Sequence, residues 1–152
     1  MKANVPDRIP TREECDALMA RYAMLPNIVA HSRQVLRVSL AIADHLQGGV
    51  SVNRDLVVAA ALLHDITKTR SLETHERHDA SGGALLRELG FARTAEIVEQ
   101  HVLLRDVDLD GGLEEREIVC YADKRVRHDA VVTLEERIQD LIARYGDSEE
   151  IR

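Results

Sequence analysis

Apolar positions recur along this chain at spacings of three and four residues, the period of helices packed on one side against a core. One segment breaks that pattern. Leu56-Val-Val-Ala-Ala-Ala-Leu-Leu63 is apolar on every side, which predicts a helix buried in the middle of the fold, with Asn53 as its N-cap. It runs directly into His64, Asp65 and, three positions on, Lys68, and the helical pattern fades after Lys68. Charged groups at the end of a buried helix need partners, because an unpaired ion taken out of water costs several kcal/mol.

The flanking segments are amphipathic. Thr11-Arg-Glu-Glu14 has the spacing of a capping box and opens a first helix that reaches about Met24. Pro26 can begin a second, with Ile28, His31, Val35, Val38 and Ile42 on its inner stripe until Gly48-Gly49. Thr69 to Arg77 is polar and reads as a loop over the end of the buried helix. A fourth helix is expected from about His78 to Leu89, and a fifth from about Ala92 to Leu104 with Ile97, His101 and Leu104 inward. Asp106 to Gly112 is turn-rich, tightest at Asp110-Gly-Gly. The sixth helix, Leu113 to about Arg127, aligns Val119, Asp123 and Val126; a last one, from near Thr133 to Gly146, carries Leu134, Ile138, Leu141 and Ile142. Val131-Val132 is too short to count as a strand. The expectation is an all-α bundle of about seven helices forming one domain over residues 1–152.

Composition narrows the function. Hydrophobic residues at 45% and charged residues at 31% are the balance of a folded, water-soluble domain. The longest apolar run is too short for a bilayer, and residues 1–12, polar with two prolines, do not resemble a signal peptide, so a cytoplasmic protein without membrane partners is expected. Cys15 and Cys120 stand alone, with no CxxC spacing, and are expected to be inert. A net charge of −7 and only 3% aromatics, with Phe91 the sole Phe and no Trp, make nucleic acid an unlikely partner.

Four of the expected helices place a metal-type ligand where periodicity wants an aliphatic residue: His31, the pair His64-Asp65, His101 and Asp123, with His78 at the start of another. A single buried histidine is more often held by hydrogen bonds than by a metal. Four such positions on separate helices are harder to explain, since each buried polar group without a partner costs about 1–3 kcal/mol. His45, His75 and His128 fit no inward position and read as surface histidines.

In order and on helices, His31, His64-Asp65 and Asp123 make the chain resemble the HD-domain superfamily of metal-dependent phosphohydrolases, in its His-Asp-Ile-x-Lys version. Ala60-Ala-Leu-Leu-His64-Asp65-Ile-Thr-Lys68 carries that motif without a gap, and His78-x-x-x-Gly82 with Leu85-Leu-Arg-Glu-Leu-Gly-Phe91 is similar to the family's next segment. His101 and Ala122-Asp123-Lys124 complete the likeness, which spans about residues 28 to 140. The resemblance implies that His31, His64, Asp65 and Asp123 hold one metal and that Asp65 bridges to a second held by His78 and His101.

Imidazoles and carboxylates together suit a divalent transition ion, Fe, Mn, Co, Ni or Zn, better than magnesium. One or two such ions lower the pKa of coordinated water toward about 7 and polarise a phosphoryl oxygen. The implied activity is hydrolysis of a phosphate ester or anhydride of a small molecule by metal-activated hydroxide, with a nucleotide as leading candidate. Asp65 and Lys68 are the expected catalytic residues, with Lys68, Lys124 and Arg127 meeting the substrate and Arg70 and Arg77 adding positive charge nearby. Two alternatives remain open: a di-iron oxygenase on the same fold, and a regulatory module that binds metal or nucleotide without turnover. The His-His-Glu and Gly-Tyr-Pro signatures of cyclic-dinucleotide phosphodiesterases are missing, and a homodimer is one possible assembly.

Overall fold

The computed structural model describes residues 8–46, 51–107, 112–133 and 136. Among them the helices are α1 (Arg12–Arg21), α2 (Pro26–Ala43), α3 (Arg54–Leu63), α4 (Lys68–Thr74), α5 (His78–Glu88), α6 (Ala92–Val98) and α7 (Glu115–Lys124). Two short strands follow, β1 (Val126–Arg127) and β2 (Ala130–Val131), paired antiparallel with Val126 opposite Val131. The architecture is an all-α bundle with a minimal hairpin at one end.

The helix starts follow from local chemistry. Thr11 and Glu14 cap α1 reciprocally, the Glu14 N–H donating to Thr11 Oγ1 at 3.2 Å and the Thr11 N–H to Glu14 Oε1 at 3.1 Å. Pro26 occupies the first turn of α2, where its missing N–H costs nothing. Asn53 caps α3, accepting from the Leu56 N–H at 3.1 Å.

Packing explains why α3 is apolar all round. It touches α1, α2, α6 and α7, so from Leu56 to Leu63 every residue but the partly buried Val58 is buried. Leu56, Val57 and Ala60 join Ile97, Ile118 and Val119 on one side, while Ala59, Leu62 and Leu63 join Met19, Val35, Leu36 and Leu86 on the other. Val57, Leu62 and Leu63 are wholly buried, each worth about 1.5–3 kcal/mol of transfer free energy. Cys15 and Cys120 are buried free thiols, and burial pushes Cys15 up to about 12, which makes it a poor nucleophile.

Several boundaries differ from the periodicity. The expected helix through Lys68 stops at Leu63, and residues 64–67 form tighter turns, with the Ile66 N–H donating to Leu63 O and the Lys68 N–H to Asp65 O. The expected loop from Thr69 to Arg77 contains α4, which buries no residue and leaves Leu72 exposed, so no hydrophobic stripe announces it. α1 ends at Arg21, and Ala23 follows with a left-handed φ of 54°. α6 ends at Val98, six residues early, because Gln100 and His101 turn inward and are buried. α7 is shorter at both ends than expected, since Val126 and Arg127 enter β1, and Val131, discounted as a strand residue, pairs in β2. Gly48-Gly49, the Asp110-Gly111 turn and nearly all of the helix expected after Thr133 lie outside the described residues. No helix among the described residues is long and apolar enough to cross a membrane.

Candidate metal centre

The six donors read from the sequence converge. His31 comes from α2, His64 and Asp65 from the turn after α3, His78 from the first residue of α5, His101 from the turn after α6, and Asp123 from α7. Their imidazoles form a row, with ring centroids 5.3 Å apart between His31 and His64, 5.0 Å between His64 and His101, and 5.2 Å between His101 and His78.

Asp65 lies along this row and divides its oxygens between the two ends. Its Oδ2 is 3.3 Å from His64 Nε2 and 3.7 Å from His31 Nε2, while its Oδ1 is 3.4 Å from His78 Nε2 and 3.5 Å from His101 Nε2. Asp123 Oδ1 adds a second carboxylate at the first end, 2.9 Å from His31 Nε2 and 3.3 Å from His64 Nε2. His31, His64 and Asp65 therefore bring ligand atoms within 4.8 Å of one another, and so do Asp65, His78 and His101.

The orientation of three rings is set by the backbone. His64 Nδ1 bonds the Ala61 carbonyl at 2.7 Å, His101 Nδ1 the Val98 carbonyl at 2.7 Å, and His31 Nδ1 the His128 carbonyl at 2.6 Å. A carbonyl only accepts, so Nδ1 donates in each of these bonds, which fixes the ring and turns Nε2 toward the carboxylates. His64 and His101 use one device: each follows the end of a helix and takes a carbonyl three residues back, where the helix leaves carbonyls without an intrahelical donor.

This donor set fits a cation. His64 is fully buried, and its Nε2 makes no hydrogen bond although two carboxylate oxygens stand 3.3 Å away, so the atom is oriented toward a shared centre without a protein partner. Burial works against charge on His64, Asp65 and Asp123, yet their mutual interactions win. The charges of Asp65 and Asp123 hold His64 well above the ordinary imidazole range; His64 and His101 hold Asp65 well below the carboxylate range, and His31 and His64 do the same for Asp123. Positive charge is what this cluster calls for. His78 differs: burial lowers its pKa, with His101 and Lys68 adding to the effect against Asp65, so it is a neutral donor at neutral pH.

The basic residues separate into distinct roles. Arg70 makes a fork to Glu76 at 2.9 and 2.8 Å, and Arg77 pairs with Asp79 at 2.9 Å. Lys124 directs its ammonium to Cys120 Sγ at 3.1 Å and the Val102 carbonyl at 3.4 Å, and Arg127 stands exposed in β1. Lys68 opens α4, close enough to His78 to act on its charge, and among the described residues no carboxylate pairs with its ammonium. The side chains of His64 and His101 are sealed, whereas His78 is 28% exposed and Asp123 17%, so the cluster opens on those sides.

Sequence reading missed the groups that hold the ligands. Backbone carbonyls carry no residue-type signal, and His128, read as a surface histidine, contributes through its carbonyl from a left-handed turn with φ 57°.

Comparison with known proteins agrees with this arrangement. Residues 28–144 match the HD domain family. Two curated relatives are both tRNA (cytidine(56)-2'-O)-methyltransferases. The protein of Thermoplasma volcanium is 32% identical over 95 residues, covering 62% of this chain and 26% of that protein, and that of Picrophilus torridus is 28% identical over 143 residues, covering 84% and 40%. The chain thus spans about a quarter to two fifths of the length of these relatives. No solved structure gives a significant match. With the family pattern covering most of the chain and a cluster of His and Asp side chains able to hold divalent metal where the helices converge, this protein belongs to the HD domain family.

Proposed function

We propose that the protein is a metal-dependent phosphohydrolase that cleaves a phosphate ester or anhydride of a small molecule, with a nucleotide as the leading substrate class. The observation that carries this reading is the division of Asp65, whose two oxygens face two separate sets of imidazole nitrogens. His31, His64, Asp65 and Asp123 would hold one divalent transition ion, and Asp65, His78 and His101 a second, as two-metal hydrolases require. Bound there, such ions supply Lewis acidity toward a phosphoryl oxygen and water of lowered pKa, toward about 7.

The chain's own residues supply the rest. The Nδ1 bonds of His31, His64 and His101 fix which nitrogen is offered and prevent ring rotation. Lys68, whose ammonium has no carboxylate partner among the described residues, stands beside the open flank at His78, where it can take a phosphoryl oxygen and stabilise the charge that grows on it. Arg70 and Arg77 are engaged by acids and shape the rim, and Lys124 and Arg127 lie toward α7 and the hairpin as secondary contacts for the remainder of the substrate.

Methyl transfer to tRNA, which the relatives' names describe, belongs to proteins of which this chain spans less than half, and nothing in methyl transfer calls for a buried His and Asp cluster. The test is metal analysis of protein purified without chelators, followed by phosphate release from a panel of nucleotides and an aryl phosphate. Release that requires the bound metal supports the reading. A redox-active di-iron centre that consumes oxygen and releases no phosphate replaces it with the oxygenase alternative, and bound nucleotide or metal with no turnover replaces it with a regulatory module.

A further inference from the structure

The two halves of the centre are not built alike. His31, His64 and His101 are each fixed through Nδ1 by a carbonyl, whereas the His78 ring meets only other members of the cluster, His101 Nε2 at 3.3 Å and Asp65 Oδ1 at 3.4 Å, and among the described residues no carbonyl holds it. Something else must place His78. It is the first residue of α5, whose N-cap, Arg77, makes no side-chain cap bond, so the ring's position depends on how the start of that helix is docked.

The docking group is Thr67. This residue stands at the N-cap of α4, a position where threonine ordinarily caps with its hydroxyl, yet it makes no such bond. Its side chain turns the other way: Oγ1 donates to the His78 carbonyl at 3.0 Å and lies 2.7 Å from Ser81 Oγ. With the Thr67 proton committed to the carbonyl, Ser81 is the donor in that second contact. The residue is 2% exposed, so neither bond competes with bulk water. Gly82 lets α5 lie close to α6, because a Cβ there would stand 3.1 Å from Val98 Cγ1, while Thr67 Oγ1 would be at an ordinary 3.5 Å. Thr67 is two residues from Asp65, so one short turn carries both the shared carboxylate and the clamp on the helix that presents His78.

We propose that Thr67 is a positioning residue for the second half of the centre, setting the distance between His78 and Asp65 through the His78 carbonyl and Ser81. The proposal rests on the two-ion reading above for its effect on metal, but its structural content concerns His78 alone. The experiment compares the parent, Thr67→Val and Thr67→Ser by two readouts: histidine ring nitrogen spectra of the metal-free protein, and free Mn2+ followed by electron paramagnetic resonance during titration. Thr67→Val should displace or broaden the His78 ring signals while leaving those of His31 and His64 in place. It should keep the first Mn2+ and weaken the second by about 10–100-fold, the usual effect of losing a group that orients a ligand. Thr67→Ser should restore both.

Unchanged His78 signals in Thr67→Val overturn the proposal, and so do His78 signals displaced as far in Thr67→Ser, which keeps the hydroxyl and lacks only the methyl group. Should Thr67→Val fail to fold, Ser81→Ala decides by the same signals: a shift confined to His78 supports the clamp, and none overturns it. If the parent takes up only one Mn2+, the two-ion reading falls, and the His78 signals alone judge the clamp.

Discussion

Replacing Asp65 by alanine should do more damage than replacing Asp123, and the size of the difference follows from their surroundings. Asp65 is 3% exposed in its side chain and faces four imidazole nitrogens at 3.3–3.7 Å, two from each half of the centre. Asp123 is 17% exposed and meets two, both in the first half. Removing one partner from a buried charged network typically costs about 3–5 kcal/mol, because the remaining charges stay out of water. Asp65→Ala belongs in that range. Asp123→Ala, better hydrated and with half the contacts, belongs nearer about 1–3 kcal/mol, the cost of an unsatisfied buried group. At roughly 3–4 °C per kcal/mol for a domain of this size, Tm should fall by about 10–20 °C for the first and about 3–12 °C for the second. Calorimetry of the metal-free proteins measures this, and elemental analysis of the loaded proteins supplies the second reading. Asp65→Ala should lose metal from both halves, whereas Asp123→Ala should keep the ion held by Asp65, His78 and His101. Equal metal content in the two variants, or a more stable Asp65→Ala, would refute the shared role of Asp65.

Three further outcomes are expected. Lys68→Ala should keep its metal and its Tm while turnover of any phosphate substrate found by screening falls by about 10²–10³, as when one transition-state donor is lost; parental turnover at matched metal content would reduce Lys68 to a solvated charge. For the metal-free protein, His64 is raised above its ordinary 6.5, so its stabilisation is complete below that pH and is lost as pH rises through the raised value. Asp65 and Asp123 are lowered below 3.8, so theirs is complete above 3.8 and is lost as pH falls through the lowered values. Tm should therefore be greatest between about pH 4 and 6.5, and added Zn2+ should raise it most on the alkaline side, where ligands need no deprotonation; a metal-free maximum above pH 8 would contradict this. Asn53→Ala should cost about 1 kcal/mol through the lost cap of α3 with metal content unchanged, and a loss of metal would show that the far end of α3 also governs the site.

His31 among Ile28 and Val35, His101 after Ile97 and Asp123 after Val119 were legible because periodicity exposes a polar residue standing in an aliphatic position, His64 and Asp65 because they end an apolar run, and His78 through the family resemblance. α3 was legible for the complementary reason, an apolar run with no polar face. What periodicity could not supply is whatever buries no side chain. α4 is such an element, and so is the second strand of the Val126–Val131 hairpin, both of whose residues are exposed. The early end of α6 escaped because buried Gln100 and His101 keep the helical spacing while the backbone has already left the helix; Gln100 accepts from the Arg105 N–H at 3.2 Å and from Arg116 at 2.8 Å, which holds the following loop against α7. Thr67 sits inside the motif, but its sequence position suggests a cap for α4 and gives no hint that its hydroxyl turns to α5.

The bonds from His64 and His101 to the ends of their own helices bear on how this protein is loaded. A small zinc module gathers its ligands from an unfolded chain, so folding and chelation are one event and a chelator denatures it. Here the rings are anchored to α3 and α6, whose burial in the core supplies their stability without any ion. A centre built in this way would not need an ion to assemble the fold. An ion taken up by the cluster would meet its most open histidine at His78, the one of the four with more than a quarter of its side chain in solvent. The metal found in a purified sample would then report the medium the protein last met.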